Sequence, residues 1–264
     1  MAVQQRYAAR PFGPDTAAGT VAQMMLLAVL CRAVGLGPAG WLTGAAFAAT
    51  TWAALTHALR TSWTPSFGPA NRVTLARATL VGGVTALVAD SFGGRAPVAV
   101  LIGLATVALV LDAVDGQVAR RTGTVTPLGA RFDMEVDAFL ILVLCVYVAV
   151  PLGPWVLAIG AMRYTFVAAS WMLPWLRAPL PPSTARKAVA ALQGIVLVIA
   201  ATGVLPRTTA IATVAMALTL LMWSFGRDIA WLRQATGHET TFPATSPRAA
   251  PNRRPTPETR PEAG

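Results

Sequence analysis

The sequence predicts an all-α protein, a polytopic transmembrane helical bundle, and three observations carry that prediction. Of its 264 residues, 55% are hydrophobic and 12% charged, and the mean hydropathy is +0.58; that is too apolar for a water-soluble globule. The apolar residues fall in runs of about 20, the length a bilayer requires. The basic residues, which give a net charge of +10, collect in alternate loops between those runs, as fixed orientation in a membrane demands. Nearly all of that charge is arginine, with Lys187 the single lysine. It is assigned to membrane topology, and no nucleic acid is expected as a partner. Cys31 and Cys145 lie inside apolar runs far apart in the chain, so no disulfide framework is expected.

The elements follow in order. Residues 1–19 form a polar N-terminal segment carrying Arg6 and Arg10. Two apolar stretches at 20–37 and 38–58 are broken by the turn at Gly37–Gly40, and a transmembrane hairpin is expected over 20–60. A basic start before an apolar run also suits a signal peptide, but Arg32 inside the run and the want of a small-residue cleavage site favour the hairpin. At Thr61–Ala70, Trp63 and Phe67 surround two prolines, as in a segment lying on the membrane surface. Further helices are expected near 71–89, 97–120, 127–150, 154–172, 188–204 and 208–226, which makes eight spans with the hairpin. With both termini in the cytoplasm, Arg60, Arg72, Arg120, Arg121, Arg131, Arg177, Arg186 and Lys187 are all internal. Only Arg95 and Arg207 then fall outside, which obeys the positive-inside rule. The membrane domain is set at 61–227. Residues 228–264, above all the Pro-, Thr- and Arg-rich run from Gln234, read as a disordered basic cytoplasmic tail whose arginines touch anionic lipid head groups. His57, near a helix end, and His238, in the tail, are not candidates for a site.

Acid is scarce in this chain, and its distribution points to a site. Five of the 11 Asp and Glu residues lie between Asp112 and Asp137. Asp112 and Asp115 are three apart and Asp133 and Asp137 four apart, so each pair shares one helix face. A short connection between the two helices gathers four carboxylates at one end of the bundle. Charged groups in a membrane are costly, so the four either share protons or surround a cation. Oxygen ligands without His or Cys favour a hard ion, Mg²⁺ or Mn²⁺. The plainer alternative pairs the four with Arg120, Arg121 and Arg131 at a helix border. Glu135 stands two residues off the Asp133/Asp137 face and is not read as a ligand.

Written out, the run is D112-x2-D115-G116-x2-A119-R120-x8-G129-x3-D133-x3-D137. Position for position it resembles the signature of the CDP-alcohol phosphotransferase family of membrane enzymes. Upstream, Asn71, Thr74 and Arg77 resemble the family's P-N-x-x-T-x-x-R motif, with Ala70 intruding after Pro69. The resemblance implies six core transmembrane helices within 61–227, to which the hairpin is an addition. It implies attack by an alcohol on the β-phosphate of a CDP-linked alcohol, usually CDP-diacylglycerol, with CMP leaving, in phospholipid biosynthesis. It implies further a site open to the cytoplasm at the cell membrane, and a homodimer.

Roles follow from the same resemblance. Asp112, Asp115 and Asp133 are implied as metal ligands, and Asp137 as both near the two metal ions and the general base. Asn71, Thr74, Gly116, Ala119, Arg120, Thr126 and Gly129 are implied to contact the CDP-alcohol. The residue chemistry agrees. Gly116 lets a nucleotide approach the backbone, although a glycine in a membrane helix also serves packing. Arg120, eight residues from Asp112, can meet a diphosphate with its fork. Thr126 before Pro127 reads as a helix N-cap as well. Arg163, midway along an apolar helix, either binds the acceptor or pairs with a carboxylate. Lys187, six residues before Gln193, resembles a basic segment of several family members and is a second candidate for the acceptor.

Two other classes remain at this point. A UbiA-like membrane prenyltransferase also uses Asp-rich helices with Mg²⁺, but its motifs lie farther apart and it lacks the Gly-x2-Ala-Arg element. A non-enzymatic cation-binding protein needs neither the glycines nor Arg120. The acceptor alcohol is left open, because the FDMEVDA run departs from the LDS-x3-D and LDP-x3-D forms common in the family.

Overall fold

The computed structural model describes residues 14–61, 69–94, 97–122, 127–178, 181 and 183–239. Among them are eight α-helices and no strand: α1 (Pro14–Val34), α2 (Pro38–Thr61), α3 (Pro69–Ser91), α4 (Val98–Thr122), α5 (Pro127–Leu152), α6 (Leu157–Met172), α7 (Thr184–Ala201) and α8 (Arg207–Glu239). Proline opens α1, α2, α3 and α5, where its fixed φ suits a helix start and its missing N–H costs nothing. Ser183 caps α7, its Oγ accepting from the Arg186 N–H at 3.4 Å. Gly35, at φ 71°, ends α1 in the left-handed region, the usual glycine stop. Cys31 and Cys145 are both free thiols.

The helix α3 is the axis of the molecule, packing against α1, α2, α4 and α5. Its Val81, Val84, Ala86 and Leu87 are at most 1% exposed, and they meet Leu101 and Ala105 of α4 and Leu140, Leu144 and Val148 of α5 in one apolar core. Beyond it, α5 packs on α6 and α7, and α7 on α8. Gly160 of α6 lies so close to α5 that a Cβ there would sit 2.6 Å from the Leu142 Cα.

Two helices, α1 and α2, stand where the transmembrane hairpin is expected, and both pack on α3. The turn between them is tied down where the Gly37 N–H donates to Asp90 Oδ1 at 3.0 Å, at the far end of α3. Gly40 allows the close approach, since a Cβ there would meet the Ala86 carbonyl at 2.9 Å.

Of the eight spans expected, four helices among the described residues are long and apolar enough to cross a membrane: Val73–Ser91, Gly129–Leu152, Thr184–Ala201 and Arg207–Gln234. Shorter apolar stretches occupy Ala18–Val34 and Val98–Val114. The helix α6 has only 16 residues, with Arg163 among them. The helix α2 is diluted by threonines, whose hydroxyls bond back to carbonyls of the preceding turn at Ala39, Ala46 and Trp52.

The last helix overruns its expected end. Where the sequence places a tail from residue 228, α8 continues to Glu239. Leu232 is fully buried, and Asp228, 14% exposed, pairs with Arg186 of α7, so the extra turns are held by packing. Residues 1–13, the surface segment around Trp63 and Phe67, Arg95 and the chain beyond Glu239 lie outside the described residues.

Candidate active site

The acidic stretch of α4 faces the acidic start of α5. Asp112 lies in the second half of α4, and Asp133 and Asp137 in the first turns of α5. One carboxylate oxygen from each of these three residues lies within 4.8 Å of the others. The three side chains are 37, 34 and 38% exposed, so the cluster lines a surface that solvent reaches.

Beneath the cluster lies Arg77 of α3, only 1% exposed. Its Nη1 is 2.9 Å from Asp112 Oδ1 and also donates to Asp133, its Nη2 donates to Asp137, and its Nε donates to the Ala108 carbonyl of α4 at 3.2 Å. A single guanidinium therefore ties three helices together through three carboxylates. Spacing brings Arg77 into the family motif with Asn71 and Thr74, but gives no sign of these partners. Of the arginines nearest in sequence, Arg131 is exposed, and the side chains of Arg120 and Arg121 lie outside the described residues.

The remaining expected residues divide by place. Thr74, 3% exposed, stands one turn before Arg77 on α3. Gly116 and Gly129 are half-buried, the first one turn beyond Asp112 on α4 and the second one turn before Asp133 on α5. Asn71 falls on α3 and Asp115, Ala119 and Arg120 on α4, with side chains outside the described residues, and Thr126 lies outside them altogether. Arg163 of α6 donates to Glu135 of α5, with side chains 27 and 55% exposed. Glu135 thus faces away from the Asp133/Asp137 cluster, as its phase predicts, and it answers for the arginine in α6. Lys187 is exposed on the first turn of α7.

A second polar group, not foreseen in the sequence, joins α7 to α8. Arg186 Nη1 meets Asp228 Oδ2 at 3.1 Å, Arg227 donates to Ser183 Oγ at 3.2 Å, and the Arg227 guanidinium lies 5.2 Å from the centre of the Trp223 ring. Pro181, Ser183, Arg227, Asp228 and Trp231 line a cleft of about 220 Å³ beside it. The signal for this pairing is the Arg227–Asp228 couple itself, which sits where an apolar helix should have ended.

The donor set of the aspartate cluster fits a divalent metal. It is all oxygen, from three carboxylates converging within 4.8 Å, as hard cations require, and Asp115 is three residues from Asp112 on the same helix. Residues 68–225 match the family model for CDP-alcohol phosphatidyltransferases. A search of curated proteins and one of solved structures find no match to the chain. The matched segment spans more than half of the sequence and contains Arg77 and all four aspartates. The chain therefore belongs to the CDP-alcohol phosphatidyltransferase family, whose chemistry is transfer of a phosphate-linked alcohol from a CDP-alcohol to a second alcohol.

Proposed function

We propose that the protein transfers a phosphatidyl group from CDP-diacylglycerol to an acceptor alcohol, releasing CMP, as a step in phospholipid biosynthesis. The observation that supports this most is the convergence of Asp112, Asp133 and Asp137 from two helices inside the segment that matches the family. Asp112, Asp115, Asp133 and Asp137 hold two Mg²⁺ or Mn²⁺ ions. When bound, these ions neutralise the diphosphate and stabilise the charge that develops on the phosphate being transferred.

The protein's own groups supply the rest. Asn71, Thr74, Gly116, Ala119, Arg120, Thr126 and Gly129 bind the CDP moiety, with glycines where the nucleotide runs closest to backbone and Arg120 on the diphosphate. The hydroxyl oxygen of the acceptor bonds to the β-phosphorus as the bond from that phosphorus to the oxygen of CMP breaks. The hydroxyl proton passes to the Asp137 carboxylate. Lys187 receives an anionic group of the acceptor. Arg163, which donates to Glu135 of α5, is a second candidate to receive the acceptor. The site faces the cytoplasm at the cell membrane, and the enzyme works as a homodimer.

The test is to incubate the purified protein with labelled CDP-diacylglycerol, Mn²⁺ and a panel of acceptors, among them glycerol phosphate, an inositol phosphate, serine and a phospholipid. Release of CMP with a labelled lipid product is expected with one of them. Transfer of a prenyl group instead, or no turnover of CDP-diacylglycerol with any acceptor, overturns the proposal.

A further inference from the structure

Arg77 is held in an unusual way. It is 1% exposed while the carboxylates it meets are each about a third exposed, and every guanidinium nitrogen is engaged, Nε by an α4 carbonyl and the other two by Asp112, Asp133 and Asp137. Its oxygens of contact belong to the same three residues whose carboxylates converge within 4.8 Å. We infer that Arg77 is a built-in counter-cation that competes with divalent metal for the Asp112–Asp133–Asp137 cluster, so that the ion binds more weakly than to the carboxylates alone. The inference rests on the metal reading proposed above.

With all three carboxylates ionised the cluster carries −3, and Arg77 brings it to −2 (−3 + 1). This keeps the acids gathered before any ion arrives. An entering cation then meets oxygens already accepting N–H bonds, with a fixed positive charge directly behind them. A divalent ion gathers carboxylates unaided, so the order Arg77 imposes on the metal-free site counts against the ion rather than for it. A lysine could relieve the conflict by losing its proton; an arginine stays charged. The nucleotide's diphosphate restores the balance by adding negative charge on the far side of the ion. Metal and CDP-alcohol accordingly strengthen each other's binding, by the same factor in both directions.

The test measures Mn²⁺ binding by electron paramagnetic resonance on the full chain in detergent, with and without CDP, alongside thermal melts in EDTA and in Mn²⁺. Without CDP, Arg77→Gln should bind Mn²⁺ roughly tenfold tighter than the wild type, since a nearby like charge is removed. It should also melt lower in EDTA and recover more of the loss on adding Mn²⁺. CDP should tighten Mn²⁺ binding more in the wild type than in Arg77→Gln. If Arg77→Gln fails to fold, Arg77→Lys carries the test, with a rise of about threefold because charge is kept but the fork is lost. Wild-type protein that binds Mn²⁺, with Arg77→Gln or Arg77→Lys binding it no more tightly, overturns the inference alone. A wild type that binds no Mn²⁺ in either condition overturns the metal reading together with it. Equal losses of melting temperature in EDTA and Mn²⁺, with unchanged affinity, would show that Arg77 is only a strut.

Discussion

At the scale of single residues, the roles proposed for the clustered carboxylates differ, and substitution should separate them. Asp137→Asn keeps size and loses the proton acceptor, so kcat should fall ~10²–10⁴-fold, with affinity for CDP-diacylglycerol little changed; rate and binding measurements on the same preparation check both halves. Asp112→Asn should instead weaken metal and nucleotide binding together. Chelation by EDTA should abolish CMP release and added Mg²⁺ or Mn²⁺ restore it, because the cluster offers only hard oxygen ligands; full activity in EDTA would refute the metal role. Glu135→Gln tests the other side of α5. Its carboxylate is more than half exposed and pairs with Arg163 rather than with the cluster. The variant should turn over within a few-fold of wild type and lose no more than ~1 kcal/mol of stability, read from its thermal melt.

At the scale of elements, the close approach of the hairpin to α3 is the feature most open to test. Gly40→Val places a side chain against the Ala86 carbonyl, which cannot move without shifting α3. A loss of ~1–3 kcal/mol is expected from such overpacking, seen as a lower melting temperature with kcat retained. The elements themselves were largely legible in the sequence, since apolar runs bounded by proline and glycine mark helices directly. Asp112 and Asp133–Asp137 were legible for a local reason as well, since three- and four-residue spacings put acids on a common face wherever a helix forms. Arg77 was not legible as their partner. An arginine near the start of an apolar helix is explained by snorkelling, and its partners Asp133 and Asp137 lie 56 and 60 residues away. The end of α8 was missed because composition turns polar at Arg227 and Asp228, while Leu232 and the Arg186 pair keep the helix in the bundle.

At the scale of the whole molecule, the arginine distribution fixes the expected orientation. A tag placed after Gly264 should be protected from impermeant reagents in intact cells and become reactive once the membrane is opened. Labelling from outside would invert the topology and put the aspartate cluster on the face opposite to the CDP-linked substrates.

The central position of α3 has a consequence for how the protein is made. Arg77 leaves the ribosome ahead of every acid that later holds it, with Asp137 following 60 residues behind. At ~5–20 residues per second that interval is several seconds. A helix bearing an uncompensated arginine must spend that time near the membrane edge, with its charged end reaching toward water. Only the arrival of α4 and then α5 lets the guanidinium sink to its place against the Ala108 carbonyl. Biogenesis should therefore follow a built-in order, with α3 inserted provisionally until the two helices that bear the aspartates lock it in.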